Sequence, residues 1–165
     1  MADASAPFES IASLSARIRS GRLSPVTCAE KLLGRIEALD AALHAFIRVM
    51  PERALAQARA AESTLQIGAD LGALHGIPYA AKDLFDVMGV PTTAGTRLLA
   101  DNIAKQDCTV VHKLAAAGMV LLGKTHTVQF AYGAAGINHD QGTPHNPWQA
   151  MPHAPGAHRA AVRWR

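Results

Sequence analysis

Apolar residues recur at helical spacing through the first 67 positions, and then the rhythm changes. Phe8, Ile11, Leu14 and Ile18 fall one turn apart and predict a short amphipathic helix over 8–19, which Gly21 ends. Ser24-Pro25 has the order of an N-cap followed by a first helical residue. The helix it opens runs to about 39, with Cys28, Leu32, Leu33, Ile36 and Leu39 along one face. His44 to Met50 alternates loosely, as a strand would. Pro51 then opens an Ala- and Arg-rich helix to about Gln66.

After Gly68, short apolar runs are bounded by Gly, Pro and Thr. Ile77–Phe85 predicts a strand and Val87–Gly95 a series of turns. Asp107–Ala117 predicts an amphipathic helix, with Asp107 as its cap and Gly118 as its stop. Met119–Leu122 predicts a short, wholly apolar strand, Thr125–Tyr132 one or two helical turns, and Gly133–Trp148 a loop. Helix, glycine, then apolar strand is the signature of an α/β fold with a buried sheet. The expected organisation is one partial domain. Residues 1–67 form a helical N-terminal region, 68–148 the start of an α/β core, and 149–165 an atypical Arg-rich tail.

Composition sharpens this picture in two places. Aromatics make up only 5% of the 165 residues against 49% apolar overall, so aliphatic and Ala packing must fill the core. The net charge of +3 is confined to residues 149–165, which hold Arg159, Arg163 and Arg165 and no acid; the other 148 positions balance at zero. Three Arg without Lys or interleaved aromatics do not make a nucleic-acid footprint, so no nucleic-acid partner is expected. No run approaches the ~20 apolar residues of a membrane helix. Residues 1–5 carry no basic or apolar leader pattern. Cys28 and Cys108 lie far apart without metal-ligand spacing, as idle thiols of a reducing cytosol would. The expected location is therefore cytoplasmic.

The candidate chemistry centres on Lys82, at the end of the apolar run Gly76-Ile77-Pro78-Tyr79-Ala80-Ala81-Lys82-Asp83. Burying a charged lysine without a partner is costly, so burial favours the neutral amine and makes Lys82 a candidate base. Asp83 beside it is a supporting hydrogen-bond partner. A second motif, Gly118-Met119-Val120-Leu121-Leu122-Gly123-Lys124-Thr125, matches the phosphate-loop pattern letter by letter. A phosphate loop needs a strand before it and a helix opening at the lysine. Here a helix precedes Gly118, the intervening residues are wholly apolar, and no later Asp is placed to hold magnesium. The expected structure at 118–125 is a helix stop and a strand ending near Lys124, with nucleotide binding as the weaker alternative. His139, His145, His153 and His158 fit no metal-ligand spacing and read as loop histidines.

Several motifs in order then carry a resemblance. Lys82-Asp83 is followed by Pro91-Thr92-Thr93-Ala94-Gly95, by Ala117–Thr125, by Gln129-Phe130-Ala131-Tyr132-Gly133, and by Gly142-Thr143-Pro144-His145-Asn146-Pro147-Trp148. Over about residues 8–156 this sequence resembles the amidase signature family. The resemblance implies a mixed β-sheet wrapped by helices within one long α/β domain. It implies hydrolysis or transfer of a carboxamide, with a small-molecule amide as substrate and no metal or organic cofactor. It also implies a catalytic Ser–cis-Ser–Lys set in which Lys82 takes the lysine position. In that mechanism the neutral lysine accepts a proton from a bridging serine, which activates the nucleophilic serine. Asn138, Asn146 and Trp148 are expected to shape the loop that approaches the site.

The sequence departs from the family where the serines should follow. The family continues into a Gly-Gly-Ser-Ser-Gly-Gly type run, whereas here Pro155-Gly156 leads into Ala157-His158-Arg159 and no serine follows Ser63. Both serines are thus absent from this sequence, and it is expected to be inactive by itself, or else to be a noncatalytic binding or regulatory module. Neither substrate identity, oligomeric state nor the choice between a free-standing amidase and an amidotransferase component is fixed by these residues. Deleting one nucleotide from the second Gly codon of a Gly-Gly-Ser-Ser-Ser-Gly-Gly-Ala-Val-Ala run yields Gly-Ala-His-Arg-Ala-Ala-Val-Arg-Trp, the residues from Gly156 to Trp164. With codons chosen to fit, a frameshift thus reproduces the tail, with a natural end or a sequencing error as the alternatives. Genomic sequence through codon 156 and beyond checks this. A serine-bearing frame after restoring one nucleotide is the expected result, and an uninterrupted stop with no such frame would contradict it.

Overall fold

The computed structural model describes residues 9–147. Phe8, Trp148, His153, His158 and the Arg-rich tail, on which expectations above fall, lie outside the described residues.

Four helices and three strands follow in the order α1 (Ile11–Arg19), α2 (Pro25–Leu43), β1 (Phe46–Val49), α3 (Pro51–Gln66), β2 (Pro78–Lys82), α4 (Thr109–Ala116) and β3 (Val120–Thr125). Local chemistry fixes most boundaries. Ser10 caps α1 by accepting from Ser13 N–H, and Ser24 caps α2 by accepting from Val26 and Thr27, with Pro25 in the first turn. The second helix runs four residues past the expected end at 39, because Ala41-Ala42-Leu43 favours helix until His44 turns left-handed at φ 49°. Its outer end leaves the core, so Leu39 is exposed, not buried. The fourth helix begins later than expected. Cys108 is its N-cap, and Asp107, one residue too early to reach the helix N–H groups, accepts instead from Met88 N–H at 2.7 Å.

The sheet is mixed, in the order β1-β3-β2, with β1 antiparallel and β2 parallel to the central β3. Helices α2 and α3 cover one face, where Ala29, Ile36, Ala54 and Ala58 meet Val120 and Leu122. On the other face Met50, Ala81, Val87, Val111 and Leu121 form a second cluster, and Ile18, Ile77 and Met119 tie α1 to it from the side. No aromatic ring is among the buried core side chains of the described residues, and fully buried alanines let α2 and α3 approach closely. The architecture is an α/β fold. Among the described residues no helix is long and apolar enough to cross a membrane.

One irregularity decides what the sheet presents. Between the pairs Tyr79–Leu121 and Ala80–Gly123 the register slips, leaving Leu122 as an extra residue on β3. Strict alternation would place Lys124 with Val120 and Leu122 under the helices. The bulge re-phases the strand, so Lys124 pairs with Ala81 on the opposite face. The Leu121 N–H beside the bulge is satisfied by Gln57 Oε1 of α3 at 2.8 Å. Gly123 is required by space: a Cβ there would lie 2.3 Å from Arg48 O.

Candidate active site

Buried polar residues gather at one place. Apart from Ser15 and His75, every polar residue buried among the described residues belongs to Asp83, Thr92, Thr93, Thr96, the run Lys124–Thr127, or Asn138. These surround the C-terminal ends of the parallel strands β2 and β3, the position where open α/β sheets bind ligands.

Lys124 and Asp83 form the centre of this cluster. Lys124 is fully buried; its ammonium donates hydrogen bonds to Pro91 O and Thr92 Oγ1, each at 2.9 Å, and forms an ion pair with Asp83 Oδ1 at 2.6 Å. Asp83, 1% exposed, also accepts from Thr93 N–H at 3.0 Å and from the Thr93 hydroxyl through its other oxygen. Backbone bonds clamp the same turn: Asp83 N–H donates to Thr125 O, and Ala94 N–H donates to Asp83 O, each at 3.0 Å. The Gln141 amide lies 3.0 Å from Thr93 Oγ1. Its Oε1 is the atom that faces the hydroxyl, which has both Asp83 and Gln141 as acceptors.

Asn138 fastens the following loop. Its Nδ2 donates to Gly95 O at 2.7 Å and Thr127 O at 2.8 Å, while its Oδ1 accepts from Asp140 and Gln141 N–H. All four hydrogen-bonding positions of the amide are used. Gly95 must be glycine here, with φ 76° and only 2.7 Å between an added Cβ and Thr127 O. Ala94, Phe130 and Ala131 also hold positive φ without being glycine, and Phe130 N–H donates to Ala94 O at 2.8 Å. Backbone strain of this kind concentrates where surrounding structure over-determines it, as at ligand sites.

Lys82 closes β2 opposite Thr125 and is half-buried. Among the described residues no hydrogen bond or ion pair engages its ammonium. The burial that singled out Lys82 in the sequence belongs instead to Lys124. The reason is position: among the described residues β2 pairs on one side only, whereas every residue of β3 is buried between two strands. The phosphate-loop alternative at 118–125 fails on geometry. The segment is a helix stop followed by the buried strand β3, and the Lys124 ammonium is committed to three protein oxygens.

The loop histidines fall outside this cluster. His145 docks on the end of α2, its N–H donating to Leu43 O at 2.7 Å and its Nδ1 facing Ala42 O at 2.7 Å. His139 is exposed and lines a shallow depression of about 500 Å³ with Thr96, Arg97, Leu98, Gln129 and Asp140. Hydrogen bonding from Arg97 N–H holds the Asp140 carboxyl below its ordinary value. Among the described residues no group of three or more His, Cys, Asp or Glu could hold a metal ion.

A family model described as Amidase matches residues 27–157. The chain belongs to the amidase signature family. Among curated relatives of this amidase-family chain, a glutamyl-tRNA(Gln) amidotransferase subunit from Streptomyces coelicolor is 45% identical over 137 residues, covering 83% of the chain and 28% of that protein. The chain thus spans less than a third of the length of that relative. Among solved structures, the native peptide amidase of Stenotrophomonas maltophilia superposes with a TM-score of 0.82 at 30% identity, covering 94% of this chain and 34% of that one. A bacterial aryl acylamidase of the amidase signature enzymes gives 0.81 at 28%, covering 94% of this chain and 33% of that one.

His126 is the residue here that sequence reasoning did not consider. It is buried, its N–H donates to Ala45 O at 3.0 Å, and its Nδ1 has no hydrogen-bond partner among the described residues. Burial pushes its pKa below the ordinary 6.5; Asp40 and Asp83 oppose this and His44 adds to it. The unfolded chain therefore takes up this proton first as pH falls, and stability is lost from about pH 6.5 downward. Urea unfolding at pH 7.5 and pH 5.5 should show a smaller acid-side loss in His126→Gln than in the parent chain. Equal losses in the two proteins would contradict this assignment.

Proposed function

We propose that this chain carries the lysine-bearing part of an amide-hydrolysing site, with Lys82 as its proton acceptor. The observation that carries the reading is a half-buried lysine without a partner among the described residues, at the C-terminal end of a parallel strand, next in sequence to a member of an ion pair. In the Ser–cis-Ser–Lys mechanism, the Lys82 amine accepts a proton relayed from the nucleophilic serine. The serine oxygen bonds to the carboxamide carbon, the C–N bond breaks, and the amine leaves with a proton. Water then releases the acyl group as a carboxylic acid. The sequence given holds no serine after Ser63. Two cysteines that are both free fit a cytoplasmic setting.

Grafting tests this directly. Residues 9–147 replace the matching segment of the Stenotrophomonas peptide amidase, which supplies the remainder of a complete amidase. The chimera should hydrolyse amides, and Lys82→Ala should lower its kcat by about 10²- to 10⁴-fold. The ungrafted chain should show no hydrolysis above background. A Lys82→Ala chimera as active as its parent would overturn the reading.

A further inference from the structure

Two lysines and one buried carboxylate lie at the ends of β2 and β3, and the carboxylate serves only one of them. Asp83 follows Lys82 directly in sequence, yet its Oδ1 lies 2.6 Å from the ammonium of Lys124, 41 positions from Asp83 in the chain. Alternation and the β3 bulge account for this choice. Lys124 pairs with Ala81 and shares its face, while Lys82, one residue on, belongs to the other face and pairs with Thr125. Were Lys124 absent, Asp83 would be a buried, uncompensated anion next to Lys82 in the chain.

We propose that Lys124 is a positioning residue for Lys82: by occupying the Asp83 carboxylate it leaves the Lys82 amine without a counter-ion and free to exchange its proton. This rests on the reading of Lys82 as the proton acceptor. The Lys124 ammonium fixes the same arrangement mechanically, since it also holds Pro91 O and Thr92 Oγ1 while Asp83 holds Thr93. Segment 91–93 is thereby fastened over the ends of β2 and β3.

Trace acylation with acetic anhydride at one fixed pH reads the free-amine fraction of Lys82, quantified by mass spectrometry against Lys105 in the full chain. Lys124→Met should slow Lys82 acylation by roughly three- to tenfold, because Asp83 becomes its nearest unmatched charge. Asp83→Asn should speed it by a similar factor, because Lys124 becomes an unmatched cation. The double variant Asp83→Asn/Lys124→Met should return within about twofold of the parent, and Lys124→Arg should stay there too. Loosened packing alone would move both single variants the same way, so that pattern, or no change in either, overturns the proposal. Should the single variants fail to fold, proton–nitrogen NMR of the parent chain decides. The ammonium coupled to the Asp83 carboxylate should be that of Lys124, and coupling from Lys82 would overturn the proposal. Acylation needs neither serine nor amide substrate. The predicted pattern together with a chimera in which Lys82 is dispensable would sink the amidase reading alone.

Discussion

A buried ion pair, Lys124 with Asp83, is the interaction on which the rest of this site depends. Taking both charges out of water costs several kcal/mol per ion, and only good geometry with further hydrogen bonds offsets it. On the cation, two hydrogen bonds to Pro91 O and Thr92 Oγ1 accompany the ion pair. The anion is completed by the backbone and hydroxyl of Thr93. Satisfying these charges obliges the 91–95 turn to lie against the strand ends, and that turn places Gly95 where Asn138 can grip it. Asn138 in turn holds the 138–141 loop through its side-chain oxygen. One electrostatic requirement thus propagates through two loops, 91–95 and 138–141, that are far apart in sequence.

The sheet supplies the geometry that the pair needs. A single extra residue in β3 moves Lys124 from the helix-covered face to the face where Asp83 and Thr92 lie. Gly123 lets β1 approach closely enough to cover that strand. The alanine-rich faces of α2 and α3 bring the helix layer close on the other side. Lys82, on the less covered strand, keeps partial exposure and an ammonium unengaged among the described residues. Two lysines near the same strand ends therefore take opposite roles, one saturated and one available. The difference follows from a strand's place in the sheet.

Local features were legible in the sequence because local chemistry sets them. Ser24-Pro25 opened α2, Pro51 opened α3, and the apolar run around Ala80 gave β2. The family resemblance rested on ordered motifs, and the Amidase match over 27–157 agrees with it. The pair itself was not legible, since its partners are 41 positions apart and meet only through a bulge that no periodicity announces. A signal did exist. The desolvation argument applied to Lys82 holds more strongly for Lys124, which follows the apolar residues of a central strand; that lysine was weighed only as part of a phosphate loop. Asp107 failed as a cap for a related reason, because Met88 N–H, distant in sequence, competes for its carboxylate. His126 gave no sequence pattern at all, and its burial comes from elements folded around it.

A double-mutant cycle on equilibrium unfolding, with Lys124→Met, Asp83→Asn and both together, tests the central role of the pair most directly. The account predicts that Lys124→Met alone destabilises the chain by about 3–5 kcal/mol, because it strands a buried carboxylate. The double variant, with neither charge, should be more stable than Lys124→Met. If instead the two single losses simply add in the double variant, the two residues do not act as a pair, and the site is held together by something else.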